Sequence, residues 1–251
     1  MTGRRVLITG SSRGIGRAIA ERMAEAGAKV VISSRKAEAC EEVAAGIRAR
    51  GGTAIAHAAS ISDKSALQSL VDRTVAEWGG IDVLVCNAAV NPYFGPLLDI
   101  GDDAFDKVMA SNVRSNVWLC GMVIPQMAER GDGSVIVVSS IAGLKGNTKL
   151  GAYGISKAAD LQLVRNLAVE YGPRNVRVNA IAPAIIRTDF ARRLWEDPDI
   201  YAGAVRAYPL RRIGEPDEVA GPALMLASKA GSFITGQVIT VDGGVTIGGA
   251  D

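Results

Sequence analysis

Short apolar runs rich in β-branched residues recur along this chain, and longer stretches with apolar residues at helical spacing fill the gaps between them. Seven of the short runs read as strands: residues 5–9, 29–33, 53–58, 82–87, 134–140, 177–183 and 237–244. Most have no polar face, as in "RVLIT", "KVVIS" and "SVIVV". A strand that is apolar on both faces belongs in a parallel sheet covered by helices on both sides. The intervening stretches, such as "GRAIAERMAEAG" and "SALQSLVDRTVAEWGG", carry apolar residues one helical turn apart and close on glycine. Strand and helix alternate from end to end. The expected fold is therefore one α/β domain spanning 1–251, a doubly wound sheet of seven mainly parallel strands with helices on both faces. The one long irregular stretch runs from 185 to 216 and holds Trp195, Tyr201 and Tyr208. An insertion of that size is either a substrate loop or a local packing excursion.

Composition narrows the function by exclusion. Twenty-eight Lys and Arg face 26 Asp and Glu among 251 residues, a net charge of +2, which gives no general attraction to nucleic acid. No stretch approaches the ~18 apolar residues of a membrane span. The start, "MTGRRVLITG", lacks the apolar segment of a secretory signal. Cys40, Cys86 and Cys120 are odd in number and far apart, so neither a disulfide framework nor a zinc spacing is expected. With His57 as the only histidine, no metal site is expected either. These features suit a cytoplasmic protein.

Two motifs carry chemistry. The first strand runs into "TGSSRGIGRAIA", where Gly10, Gly14 and Gly16 precede an amphipathic helix. Glycines there permit a tight turn, let backbone N–H groups approach a pyrophosphate, and allow the helix to pack closely on the strand. The second motif is "GAYGISK", in which Tyr153 and Lys157 lie one helical turn apart and leave the same helix face. A free phenol has a pKa of about 10. A neighbouring ammonium favours the phenolate and lowers that value, which suits the phenol to acid–base work at a carbonyl or alcohol.

Taken in order, Thr9-Gly10-x-x-x-Gly14-x-Gly16, "CNAA" at 86–89, Asn112, Ser140 and Tyr153-x-x-x-Lys157 closely resemble the short-chain dehydrogenase/reductase superfamily, in its compact branch. The resemblance covers essentially the whole chain and implies a Rossmann-type fold. It implies that Tyr153 is the general acid/base and that Lys157 tunes it and holds the nicotinamide ribose. Ser140 would hydrogen-bond the substrate oxygen, with Ser139 as the adjacent alternative. Asn112 would hold a helix and a water of a proton relay. Ser12, Arg13, Ile15, Asn87, Ala88, Pro183, Ile186 and Thr188 would join the glycines around the cofactor. Ala89, Ala184 and Ser60 depart from the residues usual in such proteins. Relatives are usually tetramers, and Ala158, Leu161 and Leu163 would offer a partner a second face of the Tyr153 helix.

The cofactor expected is NADP rather than NAD. Enzymes of this fold that prefer NAD usually place an acid at the end of the second strand to hold the ribose 2′-hydroxyl. This chain offers Ser34 and Arg35 there, and Arg13 in the glycine loop, a set suited to a 2′-phosphate. Tyr93, Phe94, Leu150 and Trp195 suggest a partly apolar substrate pocket. The "NAAVNP" loop is similar to that of carbonyl and retinal reductases, implying a small ketone, aldehyde or alcohol. A β-ketoacyl-carrier-protein reductase is the rival enzyme, and a cofactor-binding regulator without turnover the rival of another class.

Overall fold

A computed structural model describes residues 1–248. The chain runs β1 (Arg5–Thr9), α1 (Gly14–Glu25), β2 (Lys29–Ser33), α2 (Ala37–Ala49), β3 (Thr53–Ala56), α3 (Lys64–Trp78), β4 (Val83–Cys86), α4 (Asp102–Met109), α5 (Ser115–Arg130), β5 (Gly133–Val138), α6 (Gly151–Tyr171), β6 (Val176–Pro183), α7 (Arg192–Trp195), α8 (Pro198–Ala207), α9 (Pro216–Ala227) and β7 (Val238–Val241). The strands form a seven-stranded sheet in the order β3-β2-β1-β4-β5-β6-β7, and every neighbouring pair is parallel. This is a Rossmann-type α/β architecture, and order reverses between β1 and β4, where such sheets open a crevice beyond the strand C-termini.

The apolar strands explain the layering. Successive side chains point to opposite faces. Val6 and Ile8 of β1 pack with Ile19 and Met23 of α1 and with Val219 and Leu226 of α9. Leu7, between them, packs on the other side with Leu67 of α3, Leu119 of α5 and Leu161 of α6. Both faces are thus dry, as the continuous apolar runs require.

Strand ends differ from the sequence expectation where polar side chains start turns. Ser140 leaves β5 because its hydroxyl accepts the Ala142 N–H at 3.1 Å and opens a short turn over Ile141–Gly143. Residues 242–244 leave β7 because the Asp242 carboxylate accepts the Gly244 and Thr246 N–H groups at 2.9 and 3.0 Å. The 185–216 stretch is less irregular than its composition suggests, since α7 and α8 fold within it. One prospective partner-facing residue is corrected: Leu161 is 2% exposed and lies in the core, because α6 turns that face onto the sheet.

Candidate active site

The C-terminal ends of the strands open into a cleft of about 1320 Å³. Gly10 and Gly14 form its floor with φ of +66° and +55°, values that favour glycine. A Cβ on Gly16 would run into the Gly10 carbonyl oxygen and the Asn87 side-chain amide, so α1 can reach this close to the loop only with glycine there. Asn87 stitches the crevice shut beneath the loop. Its side chain donates to the Thr9 and Gly10 carbonyls at 2.9 and 3.1 Å, while the Thr9 hydroxyl accepts the Asn87 and Ala88 N–H groups. The cradle has the shape that a dinucleotide pyrophosphate needs: glycine backbone at the N-terminus of a helix.

Ser12, Arg13, Gly14, Ile15, Ser34, Arg35, Asn87, Ala88, Pro183, Ile186 and Thr188 all line the cleft. Gly16 and Asn112 do not; they lie beneath its wall and support it. Ser34, Arg35 and Lys36 stand together at the end of β2. Arg13 reaches away from them, across the mouth to Asp189 at 3.5 Å.

Tyr153, Lys157, Ser139 and Ser140 meet at the end of β5. The short Ile141–Gly143 turn lies so near α6 that a Cβ on Gly143 would strike the Lys157 backbone. Ser139 donates its hydroxyl to the Lys157 carbonyl at 2.8 Å, which commits it to holding α6. Ser140 uses its oxygen as an acceptor for Ala142, and its hydroxyl also faces the Tyr153 phenol at the edge of the cleft. Both serines line the cleft, but only Ser139 is bonded to the backbone of α6.

Lys157 is 2% exposed. Its Nζ donates to the Val138 carbonyl at 3.0 Å and to Asp160 Oδ2 at 3.1 Å, and stands 5.7 Å from the centre of the Tyr153 ring. Burial works against its charge, but Asp160 and Tyr153 outweigh that and raise its pKa above the ordinary 10.5. Tyr153 behaves otherwise than its spacing to Lys157 suggests. Burial raises the phenol above 10, although the Lys157 charge and the Ser140 hydroxyl both pull it down. In the cofactor-free protein the phenol is therefore protonated at neutral pH.

Asp160 and Asn116 escaped the sequence analysis. Asp160, fully buried, accepts from Lys157 and from Asn116 Nδ2, the latter at 2.9 Å. Asn116 also donates to the Asn112 carbonyl at 2.7 Å. The Asn112 side chain clamps the backbone of Val90 and donates to the Ser156 hydroxyl at 3.0 Å, which in turn donates to the Tyr153 carbonyl at 2.7 Å. Polar contacts thus close a ring from Lys157 through Asp160, Asn116, Asn112 and Ser156 back to the backbone of Tyr153. The signal was present: Asp160 lies three residues after Lys157, and Asn116 four after Asn112, both same-face helical spacings.

Of the prospective substrate residues, Tyr93, Phe94 and Leu150 line the cleft. The Tyr93 hydroxyl is tied back to the Pro96 carbonyl at 2.9 Å. Trp195 is a correction: its indole donates to the Thr188 carbonyl at 3.0 Å, and it borders a shallow groove that adjoins the cleft at Gly14 and Thr188 rather than the cleft itself. Phe190, which sequence did not single out, takes the aromatic place beside the phenol, 6.0 Å from it between ring centres. Among the described residues no group of three or more His, Cys, Asp or Glu is arranged to hold a metal ion, and no helix is long and apolar enough to cross a membrane.

A crevice built on glycine at a strand-order reversal, with a tyrosine, lysine and serine converging on its rim, defines a class of dinucleotide-dependent oxidoreductase, and comparison with known proteins agrees. Residues 10–246 match the family model described as Enoyl-(Acyl carrier protein) reductase. The chain is 43% identical over 242 residues to dehydrogenase/reductase SDR family member 4 of Bos taurus, covering 95% of this chain and 85% of that protein. It superposes on a gluconate 5-dehydrogenase from Burkholderia cenocepacia, solved with NADP and tartrate, with a TM-score of 0.95 and 31% identity over 99% of this chain and 97% of that one. A 7α-hydroxysteroid dehydrogenase solved with NADH and 7-oxo glycochenodeoxycholic acid gives 0.93 and 37% over 97% and 94%. The chain belongs to the short-chain dehydrogenase/reductase superfamily of oxidoreductases, in its compact single-domain form.

Proposed function

We propose that this protein is an NADP(H)-dependent reductase of small carbonyl compounds, able to run the reverse oxidation of the alcohol, with Tyr153 as general acid/base. The observation that carries this reading is the Tyr153 phenol beside a buried, charged Lys157 and the Ser140 hydroxyl, on the same sheet edge as the glycine cradle. The cradle fits a dinucleotide, because only glycine at 16 lets α1 come close enough to the Gly10 carbonyl and Asn87 to shape it. When bound, the nicotinamide supplies the hydride for reduction or accepts it in oxidation.

The protein's own groups do the rest. Ser140 donates a hydrogen bond to the substrate oxygen and fixes it beside the phenol. Tyr153, protonated at neutral pH, gives its proton to that oxygen as negative charge develops there. Lys157 stabilises the phenolate left behind. Asp160 touches neither substrate nor cofactor; it positions Lys157 and keeps it charged. Asn112 and Asn116 hold the same framework from below. Gly10, Ser12, Gly14 and Ile15 cradle the pyrophosphate, and Ile186 and Thr188 flank the nicotinamide end.

Arg35 and Lys36 favour NADP over NAD. Neither is in an ion pair among the described residues, and Ser34 supplies a hydroxyl beside them. A 2′-phosphate at that point gains charge-assisted bonds. The 185–216 segment serves as the substrate loop of one domain spanning 1–251. Buried, free Cys40, Cys86 and Cys120 suit a reducing cytoplasm, and exposed Val117 on α5 and Val169 on α6 suit packing of copies into a homotetramer. The test is a panel of ketones and aldehydes, with NADPH and NADH in parallel, followed by loss of reduced-cofactor absorbance. Tight NADPH binding with no turnover across the panel would instead mark a cofactor-binding regulator.

A further inference from the structure

The charge around the cleft is lopsided. Eight basic residues line it against a single acidic one, Asp189, in a chain whose net charge is only +2. Asp189 is already engaged by Arg192 at 2.5 Å and Arg13 at 3.5 Å. The basic residues fall into separate groups. Arg35 and Lys36 follow β2, while Lys145 and Lys149 follow β5 and Arg193 follows β6. Between β2 and β5 the sheet interposes β1 and β4. Three strand spacings amount to about 14 Å, so a phosphate held by Arg35 lies out of reach of Lys145 and Lys149.

The second group has no partner of its own. Among the described residues Lys145, Lys149 and Arg193 enter no ion pair. An apolar wall of Phe94, Leu150 and Phe190 also lines this end of the cleft, beside Tyr153. Lys149 Nζ stands 5.6 Å from the centre of the Phe94 ring, at the border between wall and cationic rim.

Resting on the reading of this cleft as a carbonyl-reductase site, we propose that the substrate is an amphipathic anion: a carbonyl group, a short apolar body, and a carboxylate or similar group held by Lys145, Lys149 and Arg193. The apolar wall receives the body while the rim receives the charge. Unpaired cations of one sign lining a cleft raise the local concentration of an anionic ligand and speed its entry. Because the three are exposed, the effect is screened by salt. Their place inside the cleft, next to the apolar wall, favours a small molecule over an acidic carrier protein docking from outside.

The test compares para-acetylbenzoate with its methyl ester, which keeps the carbonyl and the ring and removes the charge. With saturating NADPH at low salt, kcat/KM for the acid should exceed that for the ester by about tenfold, and the ratio should collapse toward one in high salt. In the Lys145→Gln/Lys149→Gln/Arg193→Gln variant the ratio should fall to near one. An ester used as well as the acid, a ratio untouched by the triple substitution, or activity confined to a thioester of an acidic carrier protein would overturn the proposal. Calorimetric titration of the same two compounds into the NADPH-bound protein separates it from the catalytic reading. Charge-dependent binding without turnover supports the anion site and sinks the reductase, whereas equal binding of acid and ester sinks the anion site.

Discussion

Replacing Asp160 with Asn removes one charge from the centre of the site and leaves its shape nearly intact. Lys157 Nζ and Asp160 Oδ2 are 3.1 Å apart, with side chains 2% and 0% exposed. At an effective dielectric of about 20, unit charges at that distance attract by about 5 kcal/mol. Breaking a buried pair by removing one partner typically costs about 3–5 kcal/mol, because the other charge is left uncompensated. The Asn amide keeps some of the dipole, so about 3 kcal/mol is the expected loss, read as a lower urea midpoint at constant slope. The pH dependence carries the sharper signature. In the wild type the Lys157 pKa is raised above 10.5, so the stability contributed by the pair is fully present below 10.5 and lost only as pH climbs through the raised value. The other titratable neighbours of the ammonium are Tyr153, protonated below pH 10, and Cys86, whose thiol Cys120 and burial hold well above its ordinary range. Neither supplies a negative charge at neutral pH. Without Asp160, burial dominates and the ammonium gives up its proton at lower pH. Carbonyl reduction by Asp160→Asn should therefore fall away on the alkaline side at a pH where the wild type still works, and Asp160→Glu should restore part of that limb. A variant with the wild-type pH profile and a stability loss under about 1 kcal/mol would refute the idea that Asp160 keeps Lys157 charged.

Tyr153→Phe should lower kcat by at least ~10²-fold, the usual weight of a general acid/base, while the affinity for NADPH measured by calorimetry changes little. In the cofactor-free protein, ultraviolet titration should place the Tyr153 phenolate above pH 10, visible as a transition that the Phe variant lacks; ionisation near neutrality would show that burial does not outweigh Lys157. Gly16→Ala should abolish NADPH binding while the protein still folds, judged by circular dichroism, because the added methyl meets the Gly10 carbonyl and Asn87 and pushes the loop away from the helix that shapes the cradle. Ser34→Asp with Arg35→Ile should move the ratio of kcat/KM for NADP against NAD toward NAD by ~10²-fold, through both repulsion of the 2′-phosphate and a new acceptor for the 2′-hydroxyl; an unchanged ratio would turn attention to Arg13.

The sheet was legible in the chain because both faces of every central strand are dry, so apolar runs such as "KVVIS" and "SVIVV" stand out without alternation. Strand ends were not, since they depend on single polar residues such as Ser140 and Asp242 choosing a turn over the ladder. The glycine loop and the tyrosine–lysine pair were legible because each is local in sequence. What could not be read there depends on distant partners. Trp195 looked like a pocket aromatic until its indole was seen tied to Thr188, and Phe190 held the place assigned to it. The net upward shift of Tyr153 is unreadable for the same reason: a spacing of four reveals the nearby ammonium, which does pull the phenol down, but not the loss of solvent around a half-buried side chain.

That upward shift bears on the direction of the reaction. A phenol tuned far below neutrality would be ready to accept a proton from an alcohol but would have none to give a carbonyl. Here the phenol keeps its proton at neutral pH, with the Ser140 hydroxyl beside it and a Lys157 whose charge Asp160 secures. Under the proposed mechanism reduction therefore begins from the resting protonation state, with the phenolate appearing only after proton transfer, next to an ammonium already in place. Oxidation must first remove the phenolic proton and so should gain steadily with rising pH, while reduction should hold level through neutrality and decline only as the phenol ionises. Measuring kcat/KM for a ketone with NADPH and for its alcohol with NADP over the same pH range checks this. Parallel profiles for the two directions would mean that a group other than Tyr153 controls the proton.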